Sequence, residues 1–143
     1  MSVVCAIGLV ACGRTGPIRP PQYVTPQPPS DIRVISEPNG LSIQFRRPDK
    51  SVDGLELSDL AYLELWRDCG TVLPLTRIAR IPIIDRGSMR KTKSLQVSDA
   101  IPAIGETCLY LLIAETRDGY RSEPAKSTRT TRILIQPEAV QAP

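Results

Sequence analysis

The chain has 143 residues, with 18 Lys and Arg against 15 Asp and Glu and a formal net charge of +3. That excess is too mild to indicate nucleic acid, and aromatic residues at 4% are too few for base-stacking platforms. Histidine is absent, which removes the commonest general acid–base group and a common metal ligand, and fourteen prolines with nine glycines speak for turns and linkers over long helices.

The chain opens on an apolar run, Ser2 to Ala11, that is well short of the ~20 residues a bilayer span needs. It ends in Leu9-Val10-Ala11-Cys12-Gly13. The Cys12 thiol can carry a diacylglycerol thioether, and the modest apolar side chains before it suit a processing peptidase. This stretch resembles the lipobox of bacterial lipoprotein precursors. The resemblance implies a signal peptide over residues 1–11, lipidation at Cys12, and a membrane anchor through that lipid. Gly13 where the family can carry Asp implies sorting to the cell outer membrane, facing the periplasm. The alternative is a plain apolar N-terminus. No Lys or Arg precedes Cys12, whereas export signals begin basic, so the expected translation start lies upstream.

Residues 12–30 read as a disordered linker, since six of the fourteen prolines fall between Pro17 and Pro29. Proline fixes φ and donates no hydrogen bond, so the run is expected to be extended, with a reach of up to roughly 55 Å. Its first nine residues, Cys12-Gly13-Arg14-Thr15-Gly16-Pro17-Ile18-Arg19-Pro20, resemble the C-G-x-K-G-P-L-x-x-P signature of small lipopolysaccharide-transport-associated lipoproteins. Gly13, Gly16 and Pro17 match, Ile18 replaces Leu, and Thr15 departs from the lysine. That family assists the outer-membrane lipopolysaccharide translocon. A generic glycine–proline spacer is the alternative.

From residue 31 to 136 the pattern becomes one of short alternating runs. Asp31 to Ile35 alternates and meets the turn cluster Glu37-Pro38-Asn39-Gly40. Leu41 to Arg46 puts Leu41, Ile43 and Phe45 on one face. Residues 49 to 60 read as a polar loop. Ala61 to Asp68 turns Leu63 and Leu65 inward and Tyr62, Glu64 and Trp66 outward. Arg77 to Ile84 alternates through Ile78 and Ile83, with Pro82 confining it to an edge. Ser94 to Ser98 pairs Leu95 with Val97 on one side. Thr107 to Thr116 is apolar on both faces, as a central strand is. Asp118-Gly119 marks a turn, and Lys126 to Ile135 closes the set. Only Leu55 to Trp66 has passable helical spacing, and the β-branched density elsewhere outvotes it. Residues 137–143 are expected to be a disordered tail.

These pieces, in this order, resemble a fibronectin type III domain. Pro29 to Val34 is similar to the family's first strand, and Leu41 to Pro48 to its second, with Phe45 at the usual tryptophan. Leu63-Glu64-Leu65-Trp66-Arg67 is similar to the third, and Cys108 to Ala114 followed by Asp118 to Pro124 to the sixth strand and its turn. The resemblance implies an all-β immunoglobulin-like sandwich of about seven antiparallel strands. In that fold the third and sixth strands are antiparallel neighbours, so the end of one meets the start of the other. Cys5 falls in the segment to be removed and Cys12 carries lipid, which leaves Cys69 and Cys108 as an even pair, as an oxidising compartment favours. A Cys69–Cys108 disulfide is therefore expected, with two buried thiols as the alternative. Cys108 takes the place of the family's corner tyrosine, whose support the bridge would replace.

Catalysis is not expected. Ser42, Ser94 and Ser127 lie on strands without an elbow motif, and the carboxylates Asp49, Asp53, Glu56 and Asp59 match no calcium-loop spacing. No Cys-x-x-Cys occurs, and no cofactor or metal is indicated. Arg86, Arg90, Lys91 and Lys93, with Arg129 and Arg132, form basic clusters of the kind that protect strand edges. Trp66 and Tyr120 are the expected partner contacts. The sequence thus points to a lipid-anchored binding or scaffolding protein that docks on an outer-membrane or periplasmic protein. The alternative is a carbohydrate-binding accessory module for peptidoglycan or lipopolysaccharide, acting through Trp66 and the acidic loop.

Overall fold

Eight strands make two antiparallel sheets in the computed structural model, which describes residues 24–70, 73–84 and 93–135. Cys12, the linker before residue 24, the basic residues Arg86, Arg90 and Lys91, and the 137–143 tail lie outside the described residues. Strands β1 (Ser30–Glu37) and β2 (Gly40–Arg46) form a hairpin, and β5 (Ser94–Asp99) pairs with the far side of β2. The larger sheet runs β4 (Thr76–Pro82), β3 (Leu60–Asp68), β6 (Thr107–Thr116), β7 (Ala125–Lys126). Strand β8 (Thr130–Thr131) pairs with Thr107 and Cys108 at the start of β6. No helix occurs among the described residues.

Period-2 alternation builds the core. Leu41, Ile43 and Phe45 of β2 face Leu63 and Leu65 of β3 and Cys108, Tyr110, Leu112 and Ala114 of β6, all buried. Ile32, Val34, Leu95 and Val97 extend it from the smaller sheet, and Ile78, Ile81 and Ile83 from the larger. Burying a large aliphatic side chain contributes about 1.5–3 kcal/mol, so this inner layer drives the two sheets together.

The expected last strand divides in two. Between β7 and β8, Ser127 accepts the Tyr110 N–H on its Oγ at 3.0 Å, while its own N–H donates to the Tyr110 carbonyl at 2.9 Å. A side-chain oxygen replaces a ladder acceptor there and bends the strand. Ser122 does the same one step earlier, its Oγ accepting the Ala114 N–H at 2.9 Å.

The turn cluster forms the β1–β2 turn, and Gly40 is required there. Its φ is 154°, and a Cβ would stand 2.3 Å from the Asp99 carbonyl oxygen. The 49–60 segment is more structured than a polar loop. Lys50 and Glu56 form an isolated bridge, Leu57 packs against the core, and Ser51 pairs with Pro26 of the incoming chain.

Cys69 and Cys108 are joined in a disulfide at the end of β3 and the start of β6. The tyrosine support is not lost, however. Tyr110 lies two residues past Cys108, hence on the same inner face, and is fully buried. Its hydroxyl donates to Asp99 Oδ2 at 2.8 Å, and Arg67 Nη1 donates to both Asp99 oxygens at 2.8 and 2.9 Å. The Ile101 N–H adds a further bond to Oδ1 at 3.2 Å. Arg67 and Tyr110 come from the larger sheet and Asp99 from the smaller, so a charged, hydrogen-bonded lock ties the two together.

Candidate docking face on the larger sheet

The outer side of the larger sheet carries the most organised polar arrangement among the described residues. Register sets its rows. Tyr62 lies opposite Glu115, Glu64 opposite Ile113, Trp66 opposite Leu111, and Asp68 opposite Leu109. Directly opposed residues share a face, so these eight form one surface. Arg80 pairs with Glu64 and Arg77 with Trp66 from the β4 side, while Lys126 lies opposite Leu111 on the β7 side.

Arg77 and Arg80 are three residues apart, an odd spacing that sends side chains to opposite faces of a regular strand. The register shifts between Leu65 and Trp66, and this irregularity returns both arginines to the outer face. It also lets Ile78 and Ile81 both pack inward.

Glu64 is the hub. Its side chain is only 4% exposed although it lies on the outer face. Arg77 Nη1 donates to Oε1 at 2.8 Å, Arg121 Nη2 donates to Oε2, and Trp66 Nε1 donates to Oε2 at 3.2 Å. Arg80 Nε lies 3.8 Å from Oε1, and its Nη2 donates to Glu115 at 3.2 Å. Burial alone would raise the Glu64 carboxyl above its ordinary 4.5, but the hydrogen bonds from Arg77 and Trp66 and the charge of Arg121 outweigh it and leave it lowered. Two arginines also stack on rings. The Arg80 guanidinium lies 3.9 Å from the Tyr62 centroid, and that of Arg77 lies 5.9 Å from Trp66.

The result is layered. Carboxylates lie beneath, and guanidinium groups lie above them with Arg77, Arg80 and Arg121 at 47, 43 and 47% side-chain exposure. Half-buried Leu109, Leu111 and Ile113 run alongside, and exposed Lys126 borders them.

Of the two expected contact residues, Trp66 is half-buried and central to this face. Tyr120 is 39% exposed and sits at the β6–β7 turn, where its N–H donates to Thr116 Oγ1. Its neighbour Arg121 bridges to Glu115, so Tyr120 borders the row of Tyr62 and not that of Trp66. Tyr62, Glu64, Arg80 and Arg121 connect the two positions. Glu64 was legible as outward; its burial required arginines from two other elements.

Trp66 and the acidic loop are not brought together. Asp59 precedes β3, and Trp66 lies seven residues along, about 20 Å at strand rise. That loop instead borders a cleft of about 460 Å³ lined by both charge signs, including Arg47, Asp49, Lys50, Glu56 and Lys93. Lys93 there donates to Asp49 at 2.7 Å. Two of the three serines on the expected strands are structural: Ser42 is buried and accepts from Gln96 at 2.8 Å, and Ser127 holds Tyr110 as described, while Ser94 is exposed at the start of β5. Among the described residues no group of three or more His, Cys, Asp or Glu is placed to hold a metal.

The architecture is that of an immunoglobulin-like sandwich of the fibronectin type III class. Solved structures with this arrangement include the twitchin kinase region from C. elegans (Fn31-NL-kin-CRD-Ig26), at 11% identity over 82% of this chain, TM-score 0.56. A group of domains from titin matches at 16% identity over 76%, TM-score 0.53, and titin kinase with its flanking domains at 15% over 76%, TM-score 0.51. This chain spans only 18, 32 and 17% of those three chains, and at such identities the likeness is one of fold alone. No protein-family model and no curated protein matches the sequence.

Proposed function

We propose that the chain is a lipid-anchored, non-catalytic docking module of a bacterial cell envelope. Cys12 carries the lipid, the proline-rich linker holds the sandwich off the outer membrane on its periplasmic side, and the outer face of the larger sheet receives an envelope protein. The observation that carries this reading is the arginine-covered face around Glu64 and Trp66: an ordered, solvent-facing array of cations beside half-buried apolar side chains. Arg and Trp are the residue types on which interface energies concentrate. The Cys69–Cys108 bridge fits an oxidising compartment.

The test has two arms. Metabolic labelling with a palmitate analogue is expected to tag the wild-type chain and not Cys12→Ala. A photo-crosslinking residue at position 66 is expected to trap one envelope protein reproducibly, and the same residue at Gln96, on the outer face of the smaller sheet, is expected to trap none. An unlabelled protein sinks the anchor; crosslinks of equal yield from both faces sink the docking face. Trapping of glycan instead of protein at position 66 would favour the carbohydrate-binding alternative.

A further inference from the structure

Resting on the docking reading, we infer that the outer face of the larger sheet recognises an acidic, amphipathic stretch of polypeptide, one that sets carboxylates against apolar side chains. The charges are sorted by depth. Glu64 is buried and Glu115 nearly so, with side-chain exposures of 4 and 17%, whereas Arg77, Arg80 and Arg121 stand nearly half exposed above them. Lys126 adds a fourth exposed cation beside Leu111. Around Glu64 a partner approaching from solvent therefore meets cations first, and the anions beneath them are already engaged; Asp68, at the far end of the face beside Leu109, is half-buried and accepts the Gly70 N–H at 2.9 Å.

The guanidinium groups are also held in place. Each donates a hydrogen bond to Glu64 or Glu115, and two stack on Tyr62 or Trp66, so their positions are set before any partner arrives. A fixed, planar fork with outward N–H groups matches a carboxylate, which it can bind through two parallel hydrogen bonds. Beside the arginines runs the apolar row Leu109, Leu111 and Ile113. A phosphate-bearing headgroup would satisfy the cations but leave that row uncovered. A polypeptide with alternating acidic and apolar side chains satisfies both. The face is gently pleated, with rows set by strand spacing, and an extended or helical segment lies across such a surface without a pocket.

The chain's only tryptophan sits in the middle of this face, with its Nε1 bonded to Glu64, so its emission reports the site directly. The experiment uses the full chain with Cys12→Ser, so that no acyl group obscures vesicle binding. A short synthetic peptide alternating Glu and Val is titrated against it, in parallel with the same peptide carrying Lys for Glu and with phosphatidylglycerol vesicles. The acidic peptide is expected to shift Trp66 emission saturably, with affinity falling several-fold between about 50 and about 500 mM salt. Arg77→Gln combined with Arg121→Gln is expected to weaken binding about tenfold, and the two Arg→Lys changes to recover part of it. Lys126→Gln, which touches none of the Glu64 network, is expected to weaken it about two- to fivefold and guards against misfolding of the double variant. An equal response to vesicles, or a response insensitive to all three substitutions, overturns the inference. If the acidic peptide gives no response while position 66 still traps a protein in cells, the acidic class falls and the docking reading stands. If neither occurs, both fall.

Discussion

Replacing Asp99 by Ala should reveal how much the inter-sheet lock contributes. In the native fold the Asp99 carboxylate accepts from Arg67 and Tyr110 side chains and from the Ile101 N–H, while Arg67 and Asp99 side chains are 5 and 3% exposed. Removing the acid strands a guanidinium and a phenol where water cannot reach. Breaking a buried ion pair from one side costs about 3–5 kcal/mol, and Asp99→Ala is expected to fall near 4. Tyr110→Phe removes one hydrogen bond and leaves the ion pair, so it should cost about 1–2 kcal/mol. The combined change Arg67→Met, Asp99→Leu, Tyr110→Phe leaves only the Ile101 N–H without its acceptor and is expected to recover most of the loss. Urea unfolding followed through Trp66 emission measures all three in one assay, with the disulfide intact. For a domain of this size the Asp99→Ala loss corresponds to a fall in Tm of roughly 15–30 °C. A cost below about 1 kcal/mol, or Arg67 and Asp99 changes that add within about 0.5 kcal/mol, would refute the lock as a coupled unit.

The same lock has a pH signature. Burial, followed by the hydrogen bond and charge of Asp99, pushes the Tyr110 phenol far above its ordinary 10.0, with Arg67 pulling the other way. The folded state holds that proton more firmly, so the contribution is complete below the unfolded value and is lost as pH rises through and beyond about 10. Tyr110→Phe should flatten that alkaline decline in urea midpoints. Glu64 behaves in the opposite sense. Its folded carboxyl lies below the ordinary value, so its contribution is present above about 4.5 and is lost as pH falls; Glu64→Gln should cost about 1–2 kcal/mol at pH 7 and progressively less as pH falls below about 4.5. Gly40→Ala forces a Cβ to within 2.3 Å of the Asp99 carbonyl and should cost about 2–3 kcal/mol, whereas Gly54→Ala, with φ 79° and open space around it, should cost about 1–2 for backbone strain alone. The Cys69–Cys108 bridge closes a segment with a sequence separation of 39, so paired serines should lower stability by about 4 kcal/mol in the chain-entropy account, read from denaturant midpoints.

Local alternation was enough to write down the inner faces. Leu41, Ile43 and Phe45, then Leu63 and Leu65, are placed by a rule that needs only neighbours in the chain, because successive side chains leave a strand on opposite sides. The pairing of Cys69 with Cys108 was also within reach, since the resemblance in fold made the third and sixth strands neighbours. Trp66 was legible as outward for the same alternating reason.

What tertiary structure alone decided are the places where distant strands meet or where the alternation slips. The irregularity opposite Trp66 carries no residue signature, yet it is what puts Arg77 and Arg80 on one face. Glu64 reads as a solvent-facing acid until Arg77, Arg80 and Arg121 arrive from β4 and from the segment before β7 to cover it. Arg67, Asp99 and Tyr110 look like one outlying charge, one turn residue and one core aromatic; only the packing of the two sheets shows that they are a single interaction. The sequence by itself determined which side of each regular strand avoids water, because that follows from the pleat. Sheet pairing and sheet packing determined which charges share a dry or half-dry site, because electrostatic partners are chosen by distance in space and not by distance along the chain.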